Sequence, residues 1–387
     1  MSTAPPAAVR RHRPFFWEEF ARQTATRRPT WGERGLCALR DGLGSEPGDA
    51  PAMRHLHRVE LTDSERNGNR PPGTYRAEHT ALTLYGLHQA AGAAPAHRPG
   101  VGLGTAVRGL HDGAFSSGAG AGAVERRLMA AASAQDLEEL VQHLRGLAPL
   151  LRRAAIGLDY TRLYRDLVAW QTPDNGRVLR AWGLQYTAPD IVRGPAARDD
   201  SGRQRYWSAF VPGHPRAGAD LAALRSGAGR AAGTVPAMWP FYRARIGTPL
   251  RDKGALTRDL VAEHAALTVF GLHQQGHTST LHVPGITPGD ACRALLARGP
   301  DADHTAADRT AIERRLGALL TSLDAGELAQ HLRGLVPLLR QAGIGLDYDD
   351  LCRALRYWDD ARRPDEQPRI RDRWDRGFHT APAAPRA

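Results

Sequence analysis

The sequence predicts an all-α fold made of two tandem helical bundles of the same fold. Three observations lead to this prediction: a long internal repeat, apolar residues at helical spacing, and no comparably long apolar–polar alternation of the kind that marks β-strands. The 387 residues exceed the usual size of one helical domain and suit two. We therefore expect two modules, each a bundle of five to seven helices.

Two segments occur twice with almost the same sequence. EHTALTLYGLHQ (Glu78–Gln89) recurs as EHAALTVFGLHQ (Glu263–Gln274), and HLRGLAPLLRRAAIGLDY (His143–Tyr160) recurs as HLRGLVPLLRQAGIGLDY (His331–Tyr348). Weaker matches in the same order fill the space around them, which indicates that whole domains are duplicated. The expected boundaries are a disordered tail at 1–13, a first module at 14–186, a linker at 187–204, a second module at 205–378 and a disordered tail at 379–387.

Helical periodicity is clearest in the longer repeat. Apolar residues in Leu137–Leu151 follow the i, i+3, i+4, i+7 rule, and the second copy repeats the pattern in Leu328–Leu339. Pro149 and Pro337 lie inside these helices and are expected to kink their last turns. Each helix should pack its apolar stripe against a core.

The next helix begins after a predicted N-cap, which is Asp159 in the first copy and Asp347 in the second. Each of these helices carries an apolar stripe that ends on a tryptophan. Packing in the core therefore explains the tryptophans better than stacking on nucleic-acid bases does. The residues concerned are Trp170, Trp182, Trp207, Trp239, Trp358 and Trp374.

The composition indicates a polyanionic partner. The formal net charge is +11, and only one of the 52 basic residues, Lys253, is a lysine. No apolar run is long enough for a membrane span and the first residues lack a secretory signal, so we expect a soluble, cytoplasmic protein without membrane contact. Cys37, Cys292 and Cys352 are too scattered for a disulfide framework or a zinc site, and we interpret them as core residues.

Catalysis has little support in the sequence. Three histidines and a glutamate recur, but no HExxH motif, His–Asp dyad, nucleophile elbow, P-loop or dinucleotide fingerprint is present. His88 falls on an apolar helix stripe, where a hydrogen-bonded core histidine is the better interpretation. We expect no catalytic residue, no metal and no cofactor; a His/Glu metalloenzyme would require stoichiometric metal in the purified protein.

A series of short motifs occurs in the same order in both halves. They are Ala38–Arg40 and Ala223–Arg225, Gly102–Arg108 (Gly-Leu-Gly before a helix with an inner Arg), Glu125–Leu128 and Glu313–Leu316, Leu144–Arg145 and Leu332–Arg333, and Leu158–Trp170 and Leu346–Trp358. In these residues the chain resembles the small subunit of the type I-E CRISPR Cascade complex, the CasB family.

The resemblance implies an all-helical, non-catalytic subunit of an antiviral surveillance complex. It implies contact with crRNA and target DNA through basic surface residues, and with the backbone and large subunits of Cascade. Members of the family are usually single modules that pair with a second identical chain, whereas this chain carries two modules. The resemblance therefore implies that intramolecular pairing replaces a homodimer, since a short linker raises the effective concentration of the second module.

Comparison of the two copies also identifies candidate binding residues, because a phosphate-binding surface needs cations held on a rigid face. Arginines retained in both copies are the candidate nucleic-acid contacts, and we expect those at the helix edges to be largely exposed. The set is Arg40, Arg108, Arg126, Arg127, Arg145 and Arg165 in the first copy and Arg225, Arg293, Arg314, Arg315, Arg333 and Arg353 in the second. The alternative is a protein-interaction scaffold whose arginines only keep it soluble.

Overall fold

The structure is a computed structural model. It describes residues 13–25, 30–66, 68, 70–113, 118–187, 204–297 and 306–380. The chain divides into two compact units between Tyr186 and Thr187, here called the first and the second module. Most of the expected linker and tails, at 188–203, 1–12 and 381–387, lies outside the described residues.

The described part of the first module forms nine α-helices. In chain order these are α1 Phe16–Ala25, α2 Thr30–Asp41, α3 Asp63–Arg66, α4 Gly73–His88, α5 Leu103–Asp112, α6 Gly118–Ser133, α7 Leu137–Arg153, α8 Tyr160–Trp170 and α9 Asn175–Thr187. A 3-10 helix at Pro51–Leu56 lies between α2 and α3.

The described part of the second module also forms nine. These are α10 Tyr206–Ala209, α11 Ala217–Ser226, α12 Thr248–Asp252, α13 Arg258–His273, α14 Pro288–Ala297, α15 Ala306–Thr321, α16 Ala325–Gln341, α17 Tyr348–Tyr357 and α18 Glu366–His379, with a 3-10 helix at Pro236–Phe241. The all-α prediction is confirmed, since the described residues contain no strand. The expected five to seven helices per module was too low, because one- and two-turn helices leave no stripe in the sequence.

The repeated segment Glu78–Gln89 lies on the central helix of each module. In the first module α4 packs against α1, α2, α7 and α8, and in the second α13 packs against α10, α11, α16 and α17. Almost every residue of α4 from Tyr75 to His88 is buried, and the same holds for α13 from Leu260 to His273. A helix enclosed on all sides tolerates few substitutions, which explains why this segment diverged little.

The predicted caps and stripes are confirmed. The Asp159 carboxylate accepts the Arg162 N–H, Asp347 caps α17 in the same way, and the apolar stripes of α7 and α16 are buried. Trp170 stacks on Trp182, with 5.4 Å between ring centroids. All six tryptophans assigned to the core are buried.

The cysteine interpretation holds for two of the three residues. Cys292 and Cys352 are buried, and burial raises the pKa of each thiol to about 12, so both are inert core groups. Cys37 is exposed, and its assignment to the core was wrong because it lies on the outer face of α2. Among the described helices, none is long and apolar enough to cross a bilayer.

Candidate nucleic-acid interface

The repeated glutamates hold a loop in place. Glu78 is 1% exposed, and its carboxylate accepts the backbone N–H groups of Arg58 (2.7 Å) and Val59 (2.8 Å) at the end of the 3-10 helix. Glu263 accepts the two equivalent N–H groups in the second module. These bonds satisfy backbone donors that would otherwise be buried without a partner.

The repeated histidines at the end of the central helix also bind inside the bundle. His88 Nε2 lies 2.9 Å from the Ile156 carbonyl and Nδ1 lies 3.0 Å from the Tyr160 hydroxyl. His273 makes the same pair of contacts. Burial lowers the pKa of both imidazoles to about 4, so they are neutral near pH 7 and serve as structural cross-links between helices.

His282, Asp347 and Asp349 come close enough to one another to be considered as metal ligands. The Tyr348 backbone N–H donates to His282 Nδ1 at 3.2 Å, so Nδ1 must be an acceptor and the proton of the neutral ring is on Nε2. Nε2 faces Asp349 at 3.6 Å. A protonated nitrogen cannot bind a metal, so this cluster is better explained as a hydrogen-bonded pair beside a helix cap.

Arg40 and Arg225 were expected to be exposed and are half-buried instead. Arg40 donates from Nε to the Gly86 carbonyl at 3.0 Å and from Nη2 to the Gln89 carbonyl at 2.7 Å. Arg225 donates to the equivalent Gly271 carbonyl at 3.5 Å. Both guanidinium groups satisfy carbonyls at the C-terminal end of the central helix, and this role accounts for their retention.

Arg108 and Arg293 are paired with carboxylates of their own helices. Arg108 Nε lies 3.0 Å from Asp112, and Arg293 Nη2 lies 3.0 Å from Asp290. About a quarter of each arginine side chain is exposed, at 24% and 26%. Their charge is balanced locally, which weakens the case for phosphate contact at these two positions.

The paired arginines of α6 and α15 are different. Arg126, Arg127, Arg314 and Arg315 are all exposed, and none has a carboxylate within 4 Å among the described residues. Arg127 donates from Nη1 to the Ala123 carbonyl of its own helix at 3.5 Å, and Arg315 donates to the Ala311 carbonyl in the same way at 3.3 Å. Four unneutralised guanidinium groups therefore face solvent at equivalent positions of the two modules.

In the first module one arginine of α6 lies against α7. A Cβ placed on Gly146 of α7 would lie 4.0 Å from Arg127 Nε. Arg145, the preceding residue, and Arg333 on α16 were also expected to be exposed; both are half-buried and have no described carboxylate partner. Their charge is therefore only partly available to solvent.

The last pair has diverged in its surroundings. Arg165 and Arg353 are both exposed on α8 and α17. Arg353 lies 3.5 Å from Asp350, whereas Arg165 has no carboxylate that close within the part of the chain that the structure describes. The charge is therefore more available in the first module.

The sequence comparison missed further arginine pairs, among them the following two. Arg152 and Arg340 occupy equivalent positions at the ends of α7 and α16, within the quoted repeat itself. Arg152 is exposed, while Arg340 donates to the Gln275 side chain at 3.0 Å. Arg58 and Arg243 follow the two 3-10 helices, and Arg58 lies over the Phe15 ring at 4.4 Å. Listing every arginine that matches between the copies would have found both pairs.

Asp166 is replaced by Ala354 at the equivalent position of the second copy. Asp166 is buried, and it accepts the Trp182 indole N–H at 2.8 Å. In the second module Asp350, one helical turn earlier, accepts the Trp374 indole N–H at 3.3 Å. The acceptor moved by one turn and was not lost.

Residues 35–186 and 220–379 match the family described as CRISPR-associated protein Cse2. The chain belongs to the Cse2 family. The resemblance to CasB and the tandem arrangement are confirmed, because the family matches each module separately. Among solved structures, the chain is similar to CasB from Thermobifida fusca, with 30% identity over 43% of this chain and 86% of that chain and a TM-score of 0.31. No curated protein matches the chain.

Membership assigns a coarse role to the two Cse2 modules. Cse2 is the small subunit of the CRISPR Cascade complex, a structural subunit that is not a known enzyme, so other Cascade subunits are its partners. The Cse2 match includes the central helices α4 and α13 and all twelve retained arginines. The structure divides these arginines into internally bonded ones (Arg40, Arg108, Arg225 and Arg293), half-buried ones (Arg145 and Arg333) and exposed ones on α6, α8, α15 and α17.

Proposed function

We propose that the chain is a nucleic-acid-binding, non-catalytic small subunit of type I-E Cascade, which holds guide RNA or target DNA and stabilises the opened duplex. The observation that carries the proposal is the set of four exposed arginines on α6 and α15, without described carboxylate partners, at equivalent positions of both modules. Exposed cations on rigid helices can bind phosphates without first breaking an internal ion pair.

The remaining arginines contribute unequally to this surface. Arg145, Arg165 and Arg333 have no described carboxylate neighbour and extend it. Arg40, Arg225, Arg108 and Arg293 have internal partners and contribute only to the general positive potential. Arg353 loses part of its attraction for phosphate to Asp350.

The proposal is tested by binding of single-stranded DNA and RNA to the full chain across a salt series. We expect affinity to fall steeply as salt rises, because each neutralised phosphate releases a counterion. Replacing Arg126, Arg127, Arg314 and Arg315 with Gln should weaken binding and reduce the slope of log K against log salt by about 3 for a single strand. Fluorescence anisotropy measures both quantities.

A matched control removes the same charge elsewhere. Arg98, Arg153, Arg216 and Arg230 are also exposed, two in each module, but the other copy holds no arginine at the equivalent position. Their fourfold Gln variant should keep most of the salt slope. Equal losses in the two variants would show that only net charge matters, and no binding by the parent chain would favour the interaction scaffold.

We further propose that the two modules take the places of two separate small subunits. The family matches two consecutive segments, and each contains its own central helix and arginine set. A covalent link raises the local concentration of the second module at the neighbouring position, so that its binding becomes intramolecular.

A further inference from the structure

The first module contains a groove of about 1000 Å³ that the arginine comparison did not point to. It lies between α4 and α7, and the loops that follow α2 and the 3-10 helix Pro51–Leu56 form its walls. Tyr75, Arg76 and His79 of α4 and Arg145 of α7 line it, together with His57. The volume is at the upper end of the range of small-molecule sites, roughly 300–1,000 Å³.

Buried polar atoms without hydrogen-bond partners are concentrated in this groove. They are His57 Nε2, Arg76 Nε and Arg145 Nε, whereas the His79 ring faces the backbone carbonyls of Gly42 and Ser45. His57 and His79 are each 5% exposed. Because an unpaired buried polar atom is costly, several in one place indicate a site that another molecule completes.

The aromatic side chains of the groove are stacked. The His57 ring lies parallel to Tyr75, with centroids 4.4 Å apart, and to His79, at 5.7 Å. Burial lowers the pKa of His57 to about 4, so the ring is neutral; its Nδ1–H donates to the Met53 carbonyl at 3.0 Å, which leaves Nε2 as an acceptor. An acceptor nitrogen beside stacked rings is suited to an N–H group on the edge of a heterocyclic base.

Charge is distributed unequally between the rim and the floor. Glu46, Asp49 and Glu60 are exposed at the rim, and Glu138 is bound to Arg70 at 2.9 Å. On the floor, the Arg76 and Arg145 guanidinium groups have no carboxylate within 4 Å among the described residues. Exposed Arg13, Arg54 and Arg66 lie on the same rim, so the rim carries both signs of charge, whereas the cationic floor favours one inserted phosphate.

The second module lacks this combination of residues. Trp239, 1% exposed, occupies the position of Arg54, and Val261 occupies that of Arg76. Tyr242 replaces His57, and its hydroxyl lies 2.8 Å from His264 Nδ1, so the histidine equivalent to His79 has a partner. His264 and Arg333 are retained in the second module, but Trp239 and Tyr242 of that module occupy the positions that Arg54 and His57 hold in the first.

We propose that the groove of the first module binds a single nucleotide, with its phosphate on the arginines of the floor and its base against the stacked imidazoles. The nucleotide is either free or one residue of a bound strand. In the second case the inference rests on the proposed nucleic-acid function; in the first case it does not.

The test is calorimetric titration of the full chain with adenosine 5′-monophosphate, inorganic phosphate and adenosine. The nucleotide should bind saturably at one site per chain, and at least about tenfold more tightly than either part, since both sets of contacts are then made. Arg76→Val and Arg145→Gln should each weaken it by about tenfold, the usual effect of losing a charged contact.

Two further variants serve as controls. Arg153→Gln is the matched control for Arg145→Gln, because it removes the same charge from an exposed position of α7 outside the groove, and it should leave nucleotide affinity unchanged. The double variant His57→Tyr/Tyr75→Leu introduces the residues of the second module, so it should remain folded by thermal melting and lose nucleotide binding.

The outcomes separate this site from the proposed function. Absence of saturable nucleotide binding, equal affinity for inorganic phosphate, or equal sensitivity to Arg153→Gln would overturn the nucleotide site. If single strands still bound in a salt-dependent manner, the proposed function would stand without it. Nucleotide binding without strand binding would support the groove and remove the proposed function.

Discussion

Each module buries a tryptophan indole against a carboxylate, Trp182 with Asp166 and Trp374 with Asp350. Asp166→Ala leaves the indole N–H without its acceptor, and we expect a loss of about 1–3 kcal/mol in the free energy of unfolding. Adding Arg162→Asp places a carboxylate where the second module has Asp350 and should restore most of this loss. Thermal and urea unfolding of the full chain measure both effects. If Asp166→Ala kept the full free energy of unfolding, or if adding Arg162→Asp restored none of it, the two carboxylate positions would not be equivalent.

The same carboxyl also predicts a pH dependence. Burial raises the pKa of Asp166 from 3.8 to about 6, so the folded state binds this proton more tightly than the unfolded chain. Its contribution to stability is therefore full below the unfolded pKa and falls by about 3 kcal/mol as pH rises from about 4 to about 6. The same loss of stability between about pH 4 and about pH 6 should be absent when the Asp166→Ala variant is unfolded across that pH range.

Retention in two copies identifies constrained residues without identifying the constraint. Arg40 and Arg126 are equally well retained, yet Arg40 bonds to helix carbonyls and Arg126 faces solvent. The guanidinium group suits both carbonyl and phosphate oxygens, so only the three-dimensional neighbours separate the two roles. Asp166 shows the opposite case, a function that is kept although the residue is not. Its partner is the Trp182 indole on another helix, and the second module provides the acceptor one turn earlier, at Asp350, so the aligned sequences show only a missing carboxylate.

At the level of helices, two glycines allow close contact at equivalent crossings. A Cβ on Gly104 would clash with the Trp182 carbonyl of α9, and one on Gly289 would clash with the Trp374 carbonyl of α18. Backbone atoms cannot move aside as a flexible side chain can. Gly289→Ala should therefore destabilise the second module by about 2 kcal/mol or more.

The matched control is Gly317→Ala on α15, where a Cβ would have nothing within 4 Å. That change should stabilise the helix by up to about 1 kcal/mol, since alanine is the better helix former. Calorimetric unfolding of the two variants distinguishes steric clash from a general effect of glycine replacement. A similar shift in both would rule out the close-contact explanation.

The long amphipathic helices were predictable because their stripes extend over several turns, as in Leu137–Leu151. Helices such as α3 and α12 were not, since four or five residues show no period. The groove was also invisible in the sequence. It depends on loops packed against α4 and on two substitutions, His57 for Tyr242 and Arg76 for Val261, which have meaning only once the fold is known.

For the molecule as a whole, the duplication gave the fold class and the tandem order directly, because two copies of one sequence must share one fold. The solvent-facing arginines of α6 and α15 persist in both modules. Of the groove residues, His79 and Arg145 persist as His264 and Arg333, whereas His57 and Arg76 are replaced by Tyr242 and Val261. The two modules therefore share the exposed arginines and differ in part of the groove.

A covalent pair of small subunits predicts a specific stoichiometry. If the two modules replace a homodimer, Cascade purified through another subunit should contain one copy of this 42.1 kDa chain. Native mass spectrometry of the intact complex gives the count directly, and the mass of any co-purified guide RNA is obtained in the same measurement. A single-module family member assembled in the same way serves as the control and should be present in two copies. Two copies of the tandem chain in one complex would mean that each recruits a further partner and that the fusion does not substitute for pairing.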